Sequence, residues 1–317
     1  MNARKIPVGI STCLLGQAVR YDGGHKRDRF IVEVLGDFFA CVPVCPEVEV
    51  GMGTPRESVQ LVKAEGGPRM VAPRSGRDWT EAMNDYSRQR VAAFQAEGLR
   101  GYILKKDSPT CGMERVKLYD ANGVPARAAV GLYARALLDA CPNLPVEEEG
   151  RLHDPRLRES FVTHVFAYDR WLTLRAAAPR PKDLVRFHTQ HKMLAMAHHE
   201  AAAREMGRLV ARQAEGDFDA VLDRYEALLM TALSARASRG RHFNVLQHLA
   251  GFLKDRLADE EKAELHRVLD EYKRGWTPLS TPVTLLSHHL NKLAHAWIEA
   301  QYYLNPYPAS LALRSQV

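Results

Sequence analysis

The chain has no long apolar run: nothing in its 317 residues approaches the roughly 18 consecutive apolar residues that a membrane-crossing helix needs. After Met-Asn-Ala-Arg-Lys it moves straight into a strand-like segment, with no secretory apolar region and no small-residue cleavage site, so a cytoplasmic address is expected. Cysteine is sparse. Five thiols in a reducing compartment do not make a disulfide framework. The paired C-x-x-C spacing of structural zinc sites is absent, Cys41 and Cys45 being the only close pair, and no H-E-x-x-H occurs. Internal repeats and low-complexity tracts are absent too, which excludes solenoid and disordered readings.

What remains is the composition of a soluble globular protein, 46% hydrophobic and 26% charged, long enough for two domains with a core each. The distribution of metal-binding residue types divides the chain. All five cysteines lie in the first 141 residues, and twelve of the thirteen histidines lie after residue 150. The formal charge of +6 fits an anionic ligand, a nucleotide or nucleic acid, and it equally fits Arg-rich surface helices.

Short apolar segments at 6–11, 38–44, 59–64, 70–72 and 101–104, separated by turn residues, read as strands. Helical spacing over 78–96, opening on D-W-T-E, and over 130–140 places two helices among and after them. This alternation predicts an α/β domain with a mostly parallel, Rossmann-like sheet, whose sites form beyond the carboxyl ends of the strands. The pattern lapses into Pro, Glu and Gly at 142–155. A helix over 154–174 follows, with Phe161, Val165, Tyr168, Trp171 and Leu172 as its apolar teeth, and two prolines break the pattern at 176–182. Beyond lie helical segments at 183–199, 201–212, 218–234, 243–257, 259–272 and 282–301 with no useful strand candidate. The expected organisation is an α/β domain over 1–155, a connecting helix and linker over 156–181, and an all-α domain over 182–317.

Chemistry concentrates in the first domain. Cys13, Cys45 and Cys111 each follow an apolar strand-like run, in I-S-T-C-L-L-G, V-P-V-C-P-E and S-P-T-C-G. If the three strands are parallel neighbours, the thiols meet at one sheet edge, where they can hold a metal centre and leave a coordination position open. Glu47 and Ser108 flank two of them and would bring proton-handling groups to that position. Cys41, inside an apolar strand, and Cys141, after a helix, read as structural thiols. From spacing alone the centre is either iron–sulfur or zinc.

The stretches S-T-C-L-L-G-Q-A-V-R-Y-D-G, C-P-E-V-E-V-G-M-G-T-P-R-E and L-K-K-D-S-P-T-C-G-M-E-R-V-K resemble, in order, those of the TudS thiouracil desulfidase family. The second half, with F-H-T-Q-H-K-M-L-A-M-A-H, resembles the YbgA-type helical domain found fused to it. The resemblance implies a four-iron, four-sulfur cluster held by Cys13, Cys45 and Cys111, with its fourth iron free of protein ligands. It implies Glu47 as general base or proton shuttle and Ser108 as a group that positions water or relays a proton. The implied reaction is non-redox, hydrolytic removal of sulfur from thiolated uracils, notably 4-thiouridine monophosphate, with release of sulfide. A soft thiocarbonyl donor suits an unsaturated iron.

A nucleotide substrate needs cations for its phosphate, and Arg20, Arg56, Lys105 and Lys106 are the candidates. Asp22 could accept a ribose or turn hydrogen bond, and Tyr21 could stack on the base. In the second half His188, His191, His198 and His199 crowd one helix, as do His288, His289 and His295 farther on, and both sets read as core or helix-face residues rather than ligands. Arg204, Arg208 and Arg212 could face RNA, but no nucleic-acid motif accompanies them, so nucleic acid is not an expected partner. The helical domain either covers the catalytic one, stabilises it or supports a homo-oligomer. The competing reading is a redox-sensing nucleic-acid-binding protein that uses the same cluster.

Overall fold

A computed structural model describes residues 4–214, 217–292 and 296–317. The chain forms two compact units, Met1–His153 and Asp154–Val317.

The first unit is built on a four-stranded sheet of β1 (Ile6–Ser11), β2 (Phe39–Val44), β5 (Tyr102–Leu104) and β8 (Val146–Glu148), in the order β2-β1-β5-β8. Every pairing in it is parallel. β1 is central and almost wholly buried, hence its apolar I-P-V-G-I-S. Gly9 pairs with Tyr102, and a Cβ there would fall 2.3 Å from the Tyr102 ring, so the close approach of β1 and β5 requires glycine. β2 is an edge strand and therefore tolerates Pro43. α1 (Thr80–Glu97) and α2 (Leu132–Ala140) pack on each other. Phe94, Tyr102, Tyr133 and Leu137 belong to the buried core of this unit.

The expectation of one alternating sheet holds for β1, β2 and β5, but the next two strand segments go elsewhere. β3 (Gln60–Val62) and β4 (Arg69–Val71) join β6 (Val116–Tyr119) and β7 (Pro125–Ala129) in a second sheet, ordered β4-β3-β6-β7, in which only β3 and β6 are parallel. β6 and β7 have few buried residues and carry almost no apolar periodicity. The segment over 142–155, which reads as a lapse of pattern, contains the edge strand β8. Its Glu147, Glu148 and Glu149 look like a solvated charge run, yet all three are buried.

The second unit is helical: α3 (Pro155–Ala176), α4 (Pro181–His198), α5 (Glu200–Ala211), α6 (Phe218–Ser234), α7 (Arg239–Ala250), α8 (Asp259–Arg274), α9 (Ser280–Asn291) and the short α10 (Ala296–Glu299). Asp154 caps α3 by accepting from Arg156 N and Leu157 N, with Pro155 in the first turn. α3 packs on α6, and Trp171 anchors the contact between Phe187 and Tyr225 at centroid distances of 5.2 and 5.1 Å. The described residues of this unit contain no strand.

Candidate functional site

Parallel strands end on the same edge, and β1 lies between β2 and β5, so whatever follows these three strands is brought together. Cys13 sits in a single tight turn, Thr12–Leu15, that begins as β1 ends; Gly16 closes it with φ of 93°. Cys45 follows β2 directly, and its carbonyl accepts from Val48 N at 3.1 Å and Glu49 N at 2.9 Å. Its own N–H donates to Glu49 Oε1 at 2.9 Å, while Tyr86 Oη of α1 donates to Glu49 Oε2 at 2.7 Å. α1 therefore helps to set the Cys45 turn. Cys111 ends the loop after β5. Ser108 Oγ folds that loop by accepting from Thr110 N at 3.2 Å and Cys111 N at 3.0 Å. Gly131 is packed so tightly against it that a Cβ would lie 2.3 Å from Thr110 O.

All three thiols line one cavity of about 460 Å³, together with Arg20, Tyr21, Glu47, Arg56, Lys105, Lys106 and Ser108. Asp22 is not in that lining. Its Oδ1 accepts from Gly24 N at 3.0 Å in a local turn and its Oδ2 lies 3.4 Å from Arg20 Nη2, so its carboxylate is occupied by its own loop. Cys41 and Cys141 lie outside the lining as well.

Glu47 is held from two sides. Arg56 Nε donates to Oε2 at 3.0 Å and Arg56 Nη2 reaches the same oxygen. Oε1 accepts from the Thr110 hydroxyl, with Ser108 Oγ at 3.5 Å. Ser108 Oγ and Thr110 Oγ1 are 3.0 Å apart. Arg56 Nη1 is spent on Val19 O and Gly53 O, both at 2.9 Å, and on Thr54 Oγ1 at 3.4 Å. Arg56 is thus a clamp on Glu47 rather than an open anion receptor. Lys105 is similarly engaged, its Nζ donating to Glu149 Oε1 at 2.5 Å. Glu149 Oε2 takes Lys106 N at 2.7 Å, and Glu148 takes Met113 N at 2.7 Å. The buried glutamates around β8 therefore brace the loop that carries Cys111.

Sequence reasoning missed Thr110, which is fully buried between the Cys111 turn and Glu47. It also missed Lys26 and the second-sheet residues Gln60, Lys117 and Tyr119 in the cavity wall. The A-N-G tripeptide at 121–123 between two strands was the available signal for β6 and β7. There Asp120 Oδ1 accepts from Asn122 N and Val124 N, both at 2.9 Å, and Gly123 has φ of 74°.

As free thiols the three cysteines resist ionisation. Burial pushes Cys13 up to about 11, against the attraction of Lys105 and with a further push from Cys45. Burial raises Cys45 too, opposed by Val48 N–H and reinforced by Glu47. Cys111 is raised well above the usual thiol range by burial and then by Glu47 and Cys45, while the Ser11 hydroxyl works the other way. A bound cation reverses this balance, since a coordinated thiol gives up its proton.

Among the described residues no three His, Cys, Asp or Glu side chains stand close enough to share one metal ion. The three thiols instead face a common cavity from three loops. Three thiols on one cavity wall are a donor set that a polynuclear centre, which takes one thiolate at each of several corners, could use. The histidines of α4 are separately engaged: His188 Nδ1 with Tyr225 Oη at 3.3 Å, His191 Nδ1 with Phe187 O at 2.8 Å, and His198 Nδ1 with Ala235 O at 2.8 Å. His199 Nδ1 accepts from Ala202 N at 3.2 Å at the start of α5. His289 is buried in α9, and His295 lies outside the described residues.

A family model described as 2-thiouracil desulfurase matches residues 8–149, and one described as a protein of unknown function (DUF1722) matches 192–308. The protein YbgA of Escherichia coli (strain K12), described as uncharacterized, is 26% identical over 160 residues, covering 50% of this chain and 95% of YbgA. YbbK of Bacillus subtilis (strain 168), described likewise, is 32% identical over 108 residues, covering 32% of this chain and 71% of YbbK. A solved structure titled as the [4Fe-4S]-dependent thiouracil desulfidase TudS shares 32% identity over 47% of this chain and 93% of its own, with a TM-score of 0.39. No helix among the described residues is long and apolar enough to cross a membrane.

Proposed function

Because this chain belongs to the 2-thiouracil desulfurase family, we propose that its first unit is a desulfidase that hydrolyses the thiocarbonyl of a thiolated uracil compound, 4-thiouridine monophosphate being the substrate we name. The observation that carries this reading is the meeting of three strand-end thiols and one doubly held carboxylate in a single cavity. When bound to Cys13, Cys45 and Cys111, a four-iron, four-sulfur cluster would supply an iron without a protein ligand, a soft acceptor for the thiocarbonyl sulfur.

The chain's own residues handle the water. Arg56 fixes Glu47 Oε2, which leaves Oε1, on the Thr110 and Ser108 side, as the oxygen that takes a proton from the attacking water. The Ser108 hydroxyl, held 3.0 Å from Thr110 Oγ1, orients that water or passes its proton on. Overall a thiocarbonyl and water become a carbonyl and hydrogen sulfide; the carbon–sulfur bond breaks, the carbon–oxygen bond forms, and no electrons are transferred. Arg20, Lys26, Lys106 and Lys117 line the same cavity and supply positive charge for a phosphate. Tyr21, 44% exposed beside Arg20, offers a stacking face for the base. A small-molecule substrate fits this wall.

The test is anaerobic incubation of cluster-reconstituted protein with 4-thiouridine monophosphate. Loss of the thiocarbonyl absorbance with stoichiometric sulfide is the expected result. Full cluster loading with neither product nor sulfide from any thiolated uracil base, nucleoside or nucleotide refutes the reading.

A further inference from the structure

The second sheet of the first unit gives the cysteine-lined cavity a wall whose neutral groups have no part in the water chemistry described above. Gln60 of β3 and Lys117 and Tyr119 of β6 lie in that wall. Their placement follows from strand geometry. Leu61 is wholly buried in the core, so Gln60 and Val62 stand on the opposite face of β3. β3 and β6 run parallel, with Leu61 beside Leu118 and Val62 beside Tyr119. One step back, the same register sets Gln60 beside Lys117, and Lys117 and Tyr119 share one face of β6.

Gln60 is the only carboxamide among the described residues of the cavity lining. It is half-buried, and its side chain makes no hydrogen bond with a described residue. Neither amide atom is sealed from solvent, so a molecule in the cavity can reach both. The other polar groups around it are spent or different in kind. Arg56 holds Glu47, the Ser108 hydroxyl takes Cys111 N, and Asp107 Oδ1 takes Arg127 Nη1 at 2.9 Å. Lys26, Lys106 and Lys117 can only donate. Gln60 therefore offers what no other unengaged group of this wall does: an acceptor and a donor side by side in one plane.

We propose that Gln60 is a specificity-determining residue that recognises the imide edge of the substrate ring and restricts the reaction to rings of the uracil type. This rests on the desulfidase reading of the same site. Next to the thiocarbonyl, a 4-thiouracil ring presents N3–H as a donor and the C2 carbonyl as an acceptor. Gln60 Oε1 accepts from N3–H, and Nε2 donates to the C2 carbonyl oxygen. A cytosine-type ring has a lone pair at N3 and would set acceptor against acceptor; an N3-methylated ring has no proton to give. A site that hydrogen-bonds a substrate group rejects the analogue lacking it, because a desolvated polar group is then left unpaired.

The experiment compares 4-thiouridine monophosphate with its N3-methyl derivative on the anaerobic, cluster-reconstituted protein, with sulfide release giving kcat/KM for each. In the wild type the N3-methyl compound should be about tenfold or more the poorer substrate. Gln60→Met, close in size and unable to pair with the imide, should lose about tenfold in kcat/KM on 4-thiouridine monophosphate. It should leave the N3-methyl compound nearly unchanged, so the discrimination collapses while iron content and circular dichroism stay those of the wild type. A merely structural Gln60 would lower both substrates alike. Equal kcat/KM for the two substrates in the wild type overturns the proposal without recourse to any variant, and so does discrimination that survives in Gln60→Met. Sulfide from neither substrate refutes the desulfidase reading and this proposal with it, whereas sulfide from both with equal efficiency refutes the role of Gln60 alone.

Discussion

Acid should unfold the helical unit well before carboxylate protonation does. His188 and His242 are buried beside phenols, their Nδ1 atoms 3.3 and 3.2 Å from the hydroxyls of Tyr225 and Tyr303. Burial, joined by the nearby positive charges of Lys192 and Arg314 respectively, pulls them down to about 4 and about 3. A histidine that folding keeps neutral contributes its full stability above the unfolded value of about 6.5, and that contribution drains away as the pH falls from there towards the folded value. At about pH 5 each group is roughly 1.5 units below its unfolded value, a loss of about 2 kcal/mol apiece and about 4 kcal/mol together. That is a large share of the roughly 5–15 kcal/mol typical of a domain. Burial shifts His191 and His198 the same way and adds to the loss. Urea unfolding of the whole chain, followed by far-ultraviolet circular dichroism at about pH 7.5 and about pH 5, measures the difference. His188→Gln should remove about 2 kcal/mol of it. A change below about 1 kcal/mol in the wild type, or imidazole titrations of His188 and His242 near the ordinary value, would refute the reasoning.

The cysteine-lined cavity yields four further expectations. Glu47→Gln should keep the brown cluster absorbance near 400 nm, a value of about the usual iron–sulfur charge-transfer position, while lowering kcat by about a hundredfold or more. Cys13→Ala, Cys45→Ala or Cys111→Ala should each abolish both colour and turnover, measured as iron content and sulfide release. Arg56→Met strips Glu47 Oε2 of its partner and should cost about 1–3 kcal/mol in denaturant unfolding, with kcat falling more than KM rises if Arg56 positions the base rather than the substrate. Gly131→Ala drives a methyl to within 2.3 Å of Thr110 O. The Cys111 turn must move, at about 1–3 kcal/mol, and iron loading should drop although no ligand has changed.

The cysteine-bearing turns were legible because each follows an apolar strand and is made of turn-forming residues. I-P-V-G-I-S and F-A-C-V-P-V announce β1 and β2, and the parallel order then brings Cys13 and Cys45 to one edge. The second sheet was only half legible: β3 and β4 fall on the strand-like segments at 59–64 and 70–72, but P-A-R-A-A of β7 is exposed at four of five positions and has no apolar face to announce it. Glu147, Glu148 and Glu149 misled for the opposite reason. Charge normally means solvent, and the partners Arg151, Met113 N, Lys105 and Lys106 N, three of them from the loop around Cys111, make their burial tolerable. Asp22 and Arg56 looked alike as ligand-contacting polar groups in turn motifs. Their separate fates, an isolated loop bond and a clamp on Glu47, depend on tertiary neighbours that local pattern does not encode.

The spacing of the three thiols also sets when they can come together during folding. Cys13, Cys45 and Cys111 ride on turns after three different strands, and β5 joins β1 only after nearly a hundred intervening residues have been accommodated. Contacts so distant along the chain form slowly. On the proposed function, cluster insertion would wait for the sheet to close, because a nascent or truncated polypeptide lacking the third turn offers only two of the three thiols. Iron uptake, if the proposed function holds, would then report that the first unit has finished folding.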